Sequence, residues 1–501
     1  MARIAMAETA MPGIATAETP TAMTTTAGAT TAARRLPGLL AGALLLRLVT
    51  ALLWAPEPVA DAADYERLAR GLVAGDGYVN PAGEATSWRP PLYPGVVAAV
   101  YAAVGDSRAT VRILQAVIST GSVALVFAIA RTALGPGAAL LAAAFAAVDP
   151  AAISSVSRLL SETLFSFLLL AMTLALVRAR GGGRVGGGRG SEQGAATDSD
   201  ARGSAPPATA PARSRRSAAW ALAAGALLGL GALTRGVLIL YPLAVAPLWL
   251  LDRGSRRGAR GSLALVLVGF ALTLAPWAAR NARVHDAFVP VATQGGMTLY
   301  SGNHPLDGWR FGFIPSDETT RRAEALSEPE ASSVLIRATA QDLAARPGQV
   351  PRLLALKAIF FWVPLDWEIM PWPGMLNPVY LVVLLWAGWL GMAAGRDLIR
   401  DRTSTAAPAA TRRNRFLASW PYWLPVAYFF ALALVFYGSP RFRLPVEPFL
   451  AMAAAAGLVR LAGHRSRRFA AAALGVSVTA AVAFAVVAGP LKALLRRILG
   501  V

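Results

Sequence analysis

The 501-residue chain has no cysteine and only three histidines. Disulfides and thiolate metal sites are excluded, and a zinc cluster is a poor reading of so few ligands. Lysine is nearly missing as well: Lys357 and Lys492 stand alone, and Arg supplies the rest of the 48 basic residues. Charged residues of both signs make up 15% of the chain, against about 25% in an ordinary soluble protein. No apolar core of signal-peptide length occurs in the first 35 residues, which are rich in Ala, Thr, Met and Gly and end in Arg34-Arg35. They read as a disordered cytoplasmic tail, not as a cleaved leader. No internal repeat is evident.

What is present is apolar: 55% hydrophobic residues and a mean hydropathy of +0.49, the composition of a multi-span membrane protein. The net charge of +20 invites a nucleic-acid reading, but the Arg residues cluster in short segments between apolar runs. That distribution marks cytoplasmic loops beside an anionic leaflet. Heavy Ala, Gly and Arg usage suits a GC-rich bacterial source. Apolar runs occupy 36–55, 111–131, 136–149, 161–178, 218–234, 237–251, 261–279, 376–395, 420–437, 446–462 and 469–488. Two shorter runs, 91–104 and 353–364, are ambiguous. Segment 178–216 carries eight Arg against three acids, and 252–260, 396–419 and 463–468 carry four, six and three Arg. The positive-inside rule assigns all four to the cytoplasm.

Counting 91–104 as a span would put the 178–216 loop on the wrong side. Pro91–Val104 is therefore expected to lie at the outer interface, opened by Pro90-Pro91, closed by Gly105 and anchored by Tyr93 and Tyr101. The same test makes 353–364 re-entrant or interfacial, anchored by Trp362, Trp367 and Trp372. The expectation is an all-α polytopic membrane protein of about 11 spans (10–13), N-terminus inside. It divides into the tail 1–35, a first membrane part 36–178 with an outer loop at 56–110, and a disordered basic linker at 179–217. Membrane helices 218–279, an external region 280–375, membrane helices 376–489 and the tail 490–501 follow. Parity places Lys492, Arg496 and Arg497 outside, against the rule.

That topology gathers unusual groups on the outer face. Asp61, Asp64 and Glu66 follow the first span; Asp149, Arg158 and Glu162 lie around the next outer turn; Arg235 sits between two apolar runs with almost no loop; Tyr437-Gly-Ser-Pro-Arg441-Phe-Arg443-Leu-Pro445 forms an outer hairpin. Each also has a plain reading: the Asp residues as solvated loop acids, Glu162 as a helix-terminus residue, the Arg residues as snorkelling to headgroups. Together they exceed what topology requires. Arg matches phosphate oxygens bidentately and keeps its charge at any relevant pH. A carboxylate facing a bound phosphate can deprotonate a hydroxyl while the phosphate leaves. This is the chemistry of sugar transfer from a polyprenyl-phosphate carrier.

Seven segments recur in order over about 36–462: Asp61-x-x-x-Tyr65-x-x-x-Ala69, Arg89-Pro-Pro-Leu-Tyr-Pro94, Arg112-Ile-Leu-Gln115, Ser161-Glu162-Thr163-Leu164, Thr234-Arg235, Gly302-Asn303-His304-Pro305 and Arg441-Phe-Arg443-Leu-Pro445. With them the chain resembles the GT-C superfamily of integral-membrane glycosyltransferases, in its family-39-like branch of protein mannosyltransferases and aminoarabinose transferases. The resemblance implies a GT-C-type bundle with juxtamembrane helices in the first outer loop. It implies a polyprenyl-phosphate-sugar donor, a hydroxyl acceptor on protein, lipid or glycan, and a metal-independent inverting mechanism without cofactor at the outer face of the plasma membrane. The family's catalytic Asp aligns with Asp61, preferred over Asp64 by its spacing to Tyr65, and its second outer-loop acid with Glu162; Asp64 stays a further catalytic candidate, and Tyr65, Arg89, Arg235, Asn303, Tyr437, Arg441 and Arg443 are the expected substrate-binding residues. Many relatives carry Asp where this chain has Glu162. The rival reading is a transporter or flippase of lipid-linked sugars, which usually shows repeated halves and charges near the bilayer midplane.

Overall fold

A computed structural model describes residues 20–180, 210–251, 259–305, 315–362, 379–388 and 419–462. Among these the secondary structure is helical, with an isolated bridge between Val79 and Ala85 and no strand. The helices are α1 (Pro20–Leu53), α2 (Asp61–Ala74), α3 (Leu92–Val104), α4 (Arg108–Leu134), α5 (Pro136–Ala147), α6 (Pro150–Ser155), α7 (Glu162–Ala179), α8 (Ala210–Thr234), α9 (Tyr241–Leu251), α10 (Ala259–His285), α11 (Gly295–Asn303), α12 (Glu318–Glu324), α13 (Glu328–Ala345) and α14 (Val350–Trp362). Helices at Val379–Gly388, Trp420–Val435 and Glu447–Ala462 complete the described chain.

Among the described residues six helices are long and apolar enough to cross a membrane: Thr31–Leu53, Arg108–Leu134, Glu162–Ala179, Arg215–Thr234, Arg260–His285 and Pro440–Val459. The expected total of eleven also counts shorter apolar helices such as Pro136–Ala147 and Trp420–Val435, and 469–488, which lies outside the described residues. Two boundaries differ from expectation. Helix α1 begins at Pro20, inside the stretch read as a disordered tail, and α8 begins at Ala210, inside the expected linker. Both starts extend an apolar helix into a segment of Ala and Thr or Ala and Arg, which continues a helix already nucleated by the span. Trp367, Trp372 and the basic C-terminal tail lie outside the described residues.

Helix α7 is the centre of the bundle. Phe165, Leu169, Leu170 and Ala175 are completely buried on different sides of it, the pattern of a helix that is apolar all round. Helices α1 and α10 are peripheral and turn Leu45, Leu53 and Leu272 outward, as spans facing lipid do. Small residues set the closest approaches. A Cβ on Gly225 of α8 would lie 2.0 Å from the Val266 carbonyl oxygen of α10, and one on Gly269 would lie 2.4 Å from the Leu222 carbonyl oxygen. The two backbones therefore touch, the packing that small residues permit between membrane helices. Arg47 is fully buried within α1 and donates to Ser119 (2.8 Å) and to the Ala146 and Ala147 carbonyls that end α5 (3.0 and 2.9 Å). A buried guanidinium is thus satisfied by the negative end of a helix.

The segment expected to form the first outer loop folds as a helical pair, α2 and α3. Gly75, in the left-handed region at φ 90°, ends α2. Tyr65 and Ala69 of α2 pack on Tyr93, Val97 and Tyr101 of α3. The placement of Tyr93 and Tyr101 corrects the headgroup expectation: both are buried, Tyr93 donating to Gln115 (2.8 Å) and Tyr101 to Glu66 (3.0 Å). The pair supplies enough apolar area and polar partners to hold the rings in protein instead of lipid. Arg108 clamps Glu66 through two bonds (2.6 and 2.9 Å), fixing α2 to the start of α4. Motif residues Arg112 and Gln115 bind the carbonyls of Ser157, Val156 and Arg158, tying α4 to the turn between α6 and α7.

Substituting Gly225 by Leu is expected to force α8 and α10 apart and to destabilise the protein by about 1–3 kcal/mol or more. Thermal unfolding of the purified variant in detergent, compared with Gly38→Leu, where a Cβ meets nothing within 4 Å, measures this.

Candidate active site

The acids and arginines that the sequence scatters over 380 positions converge where the starts of α2 and α7, the end of α8 and the turn before the last described helix meet. Asp61 and Asp64 lie in the first turn of α2, one turn apart and on one side. Arg89 arrives from the loop before α3 and bonds both: Nη2 to Asp61 Oδ1 (2.8 Å) and to Asp64 Oδ2 (2.8 Å). Arg441 arrives from the short Pro440–Arg443 helix, whose start is capped by Ser439. Its Nη1 bonds Asp61 Oδ2 at 2.9 Å, and its Nε bonds Glu162 Oε1 at 2.6 Å. Arg235, held at the end of α8, stands 3.2 Å from the same Glu162 oxygen and over the Phe165 ring.

The result is a chain of alternating charges: Asp64, Arg89, Asp61, Arg441, Glu162, Arg235. Asp61 is its midpoint and keeps 27% of its side-chain surface exposed, whereas Glu162 keeps 4%. Burial acts to raise the Asp61 pKa, but Arg441 and Arg89 outweigh it and hold the carboxyl at about 2. Because the folded value lies below the ordinary 3.8, this pairing stabilises the fold fully above about pH 4 and less as pH falls towards 2.

A cavity of about 260 Å³ opens beside this chain. Asp61, Tyr65, Arg89, Arg235, Tyr437 and Arg441 form its polar wall, while Val237, Ile239, Leu240, Val291 and Leu432 form an apolar one. A polar wall of both charges facing an apolar one suits an amphiphile with an anionic head. Of the expected site residues these six are brought together. Glu162 is not on the wall; it sits behind Arg441 and Arg235, with Oε2 buried and without a hydrogen-bond partner among the described residues. Asp64 reaches the cavity only through Arg89.

Two expected binding residues are turned elsewhere. Arg443 is fully buried and bonds Glu447 (3.0 Å) and the Phe361 carbonyl (2.6 Å). In a helical turn residues two apart point about 200° from each other, so one of the two hairpin arginines had to face inward. Asn303 accepts from Lys357 Nζ (2.7 Å) and donates to the Leu299 and Val435 carbonyls, on the far side of α11 from the cavity. It ties α11 to the end of the Trp420–Val435 helix, where a Cβ on Gly302 would meet the Phe436 carbonyl oxygen at 2.0 Å.

Sequence reading missed Gln294, which lines the cavity and accepts from Arg89 Nη1 at 3.2 Å. Its Gln-Gly-Gly setting reads as a plain turn, and only the fold brings it beside residue 89. Among the described residues no three His, Asp or Glu side chains are grouped to hold a metal ion.

Solved structures share this architecture. The oligosaccharyltransferase of Archaeoglobus fulgidus in its apo form aligns over 91% of this chain and 54% of its own, at 13% identity and a TM-score of 0.50. The same enzyme with Zn and sulfate aligns over 89% and 53%, at 16% identity and 0.50. ArnT from Cupriavidus metallidurans in the apo state aligns over 89% and 78%, at 16% identity and 0.41. This chain spans about half the length of the archaeal chains it matches. The archaeal chains, at a TM-score of 0.50, share the fold, that of an all-helical polytopic membrane protein of GT-C type. Within that type, residues 88–186 match the family model of dolichyl-phosphate-mannose-protein mannosyltransferases. No curated protein matches the chain.

Replacing Arg441 by Gln leaves Asp61 with Arg89 and leaves buried Glu162 with Arg235 alone. Removing one partner of a buried ion pair costs about 3–5 kcal/mol, so a large fall in Tm is expected. Adding Glu162→Gln to that variant recovers part of the loss; strict additivity of the two substitutions would show that the pair is not coupled.

Proposed function

We propose that this protein is a GT-C-type membrane glycosyltransferase that moves a sugar from a polyprenyl-phosphate carrier to an acceptor hydroxyl. The observation that carries the reading is Asp61 at the wall of the amphiphile-sized cavity, sharing Arg441 with Glu162. The carrier's phosphate binds Arg441 and Arg235, whose guanidinium forks match its oxygens. Glu162 orients both arginines from behind and acts as a positioning residue. Tyr65, Arg89, Gln294 and Tyr437 shape the remainder of the site, and the apolar wall receives the first isoprene units.

A carboxylate held at about 2 is a weak base, and donor binding corrects this. The incoming phosphate competes with Asp61 for Arg441. Once that guanidinium turns to the phosphate, Asp61 keeps only Arg89 and its proton affinity rises towards the range a general base needs. Asp61 then accepts the acceptor's hydroxyl proton as that oxygen bonds the anomeric carbon. The bond from the anomeric carbon to the phosphate oxygen breaks on the opposite face, and the configuration inverts. Charge developing on the leaving phosphate falls on Arg441 and Arg235, positioned before the reaction begins. The two guanidiniums at Asp61 supply the positive charge a metal ion would otherwise bring, which supports the metal-independent reading.

The orientation proposed is N-terminus inside, with the basic loops at 178–216, 252–260, 396–419 and 463–468 in the cytoplasm and the cavity at the outer face of the plasma membrane. Membranes or purified protein incubated with labelled polyprenyl-phosphate sugars are expected to yield labelled acceptor. Asp61→Asn is expected to lower turnover by about 10²-fold or more while donor-lipid binding persists. Wild-type protein that moves the carrier lipid across vesicles without transferring sugar would instead select the transporter reading.

A further inference from the structure

Helix α13 lies in the outer region and opens with a capping box in which Ser327 and Glu330 satisfy each other's backbone. Its first residue, Glu328, takes no part in that cap. Its carboxylate reaches across the structure to three donors: Thr86 Oγ1, the Ser87 backbone N–H (2.9 Å) and Thr293 Oγ1 (2.8 Å). These donors belong to two separate segments, which also bond each other through Thr293 N–H to the Ser87 carbonyl (3.0 Å). Each segment then runs directly to the cavity wall. Ser87 is followed by Trp88 and Arg89, and Thr293 by Gln294. Arg89 and Gln294 are themselves bonded at 3.2 Å.

We propose that Glu328 is a positioning residue for the pocket: one carboxylate staples the two segments that present Arg89 and Gln294 to Asp61. This rests on the function proposed above, which it deepens. Without the staple the backbone at 86–87 has fewer fixed points, and Arg89 can withdraw from Asp61. The groove behind it is held by α10, where Arg280 bonds the Thr86 carbonyl (2.7 Å), Asn281 accepts from Ser87 Oγ (2.7 Å), and His285 Nε2 lies 2.8 Å from the same hydroxyl. On the other side α13 cannot move alone. Gly296 of α11 donates to Ser332 Oγ (3.2 Å), and a Cβ on Gly296 would lie 2.5 Å from the Ser332 carbonyl oxygen. The outer helices α11 and α13 therefore move with the Arg89 loop as one piece, and whatever displaces α13 is felt at Asp61.

The consequence is measurable as a proton equilibrium. The groups facing Asp61 are Arg89, Asp64 and Tyr65 near α2, Glu162 on α7, Arg235 after α8, and Tyr437 and Arg441 from the turn. Those facing Glu328 are His285, at 3.8 Å, and Arg280. In Glu328→Gln the charge is lost, and the NH₂ that replaces one carboxylate oxygen faces a Thr86 hydroxyl that now donates and must turn round to accept, so the charge-assisted staple is weakened.

Purified full-length protein is treated with dicyclohexylcarbodiimide, which modifies protonated carboxyls, over a range of pH, and the modification of Asp61 is read by mass spectrometry. Glu328→Gln is expected to raise the pH of half-modification by about one unit, the effect of weakening one ion pair by roughly 1.4 kcal/mol. Thr293→Val, which removes one bond and keeps the shape, should move it the same way by less. Arg89→Gln should move it at least as far, and Glu328→Gln added to Arg89→Gln should move it no further. An unmoved Asp61 in Glu328→Gln, or additive shifts in the double variant, would overturn the proposal. The acid limb of kcat/KM for sugar transfer should shift with the labelling, whereas a purely structural role lowers activity without moving the limb. The labelling result judges Glu328 even if no sugar transfer is found, so the two readings fail separately.

Discussion

The structure turns on one shared guanidinium. Arg441 binds Asp61 through Nη1 and Glu162 through Nε, and so joins α2, the central helix α7 and the turn before the last described helix. Glu162 is buried at the head of α7, where an unpaired carboxylate would be costly. That cost fixes Arg441 and Arg235 in place. It also fixes their direction, so that their remaining donors and Asp61 share one wall. The pocket is therefore preorganised by a requirement of stability, with surplus positive charge on its exposed side.

The same logic extends outward. Arg89 bonds both acids of α2 and Gln294, and its loop is gripped by α10 from behind and by Glu328 from α13. Polar networks compete with water, so they persist only when each member is held from more than one side. Here α3 backs one flank through Tyr93 against Tyr65, and α11 and α13 back the other. The rigid elements lie in the segments between the long apolar helices as much as in those helices.

Much of the architecture is legible from residue order. The Pro-Pro start at 90–91 and Gly105 suffice to bound a short helix, and α3 is a 13-residue helix packed on α2. The residues brought to the cavity wall, Asp61, Tyr65, Arg89, Arg235, Tyr437 and Arg441, were each suspicious as charges or aromatics where a membrane protein has no topological use for them. Arg443, Asn303, Gln294 and Glu328 were not legible in the same way. Spacing says that residues 441 and 443 diverge, but not which of them meets an acid; that depends on Glu447 waiting one turn on and on Glu162 across the bundle. Gln294 and Glu328 have ordinary turn and helix-start contexts, and their roles exist only through partners more than 200 positions away.

The sequence by itself determined that the chain is a helical membrane protein with Arg-rich segments and isolated acids between its apolar runs. Hydrophobic run length and charge asymmetry are local properties and need no partner to be read. Only the tertiary structure decided which acid keeps an open face and which is buried behind its arginines. It also decided which of two neighbouring arginines serves the pocket and which helix outside the membrane holds the Arg89 loop. Those outcomes depend on desolvation and pairing among groups distant in the chain, and such energies exist only once the helices have packed.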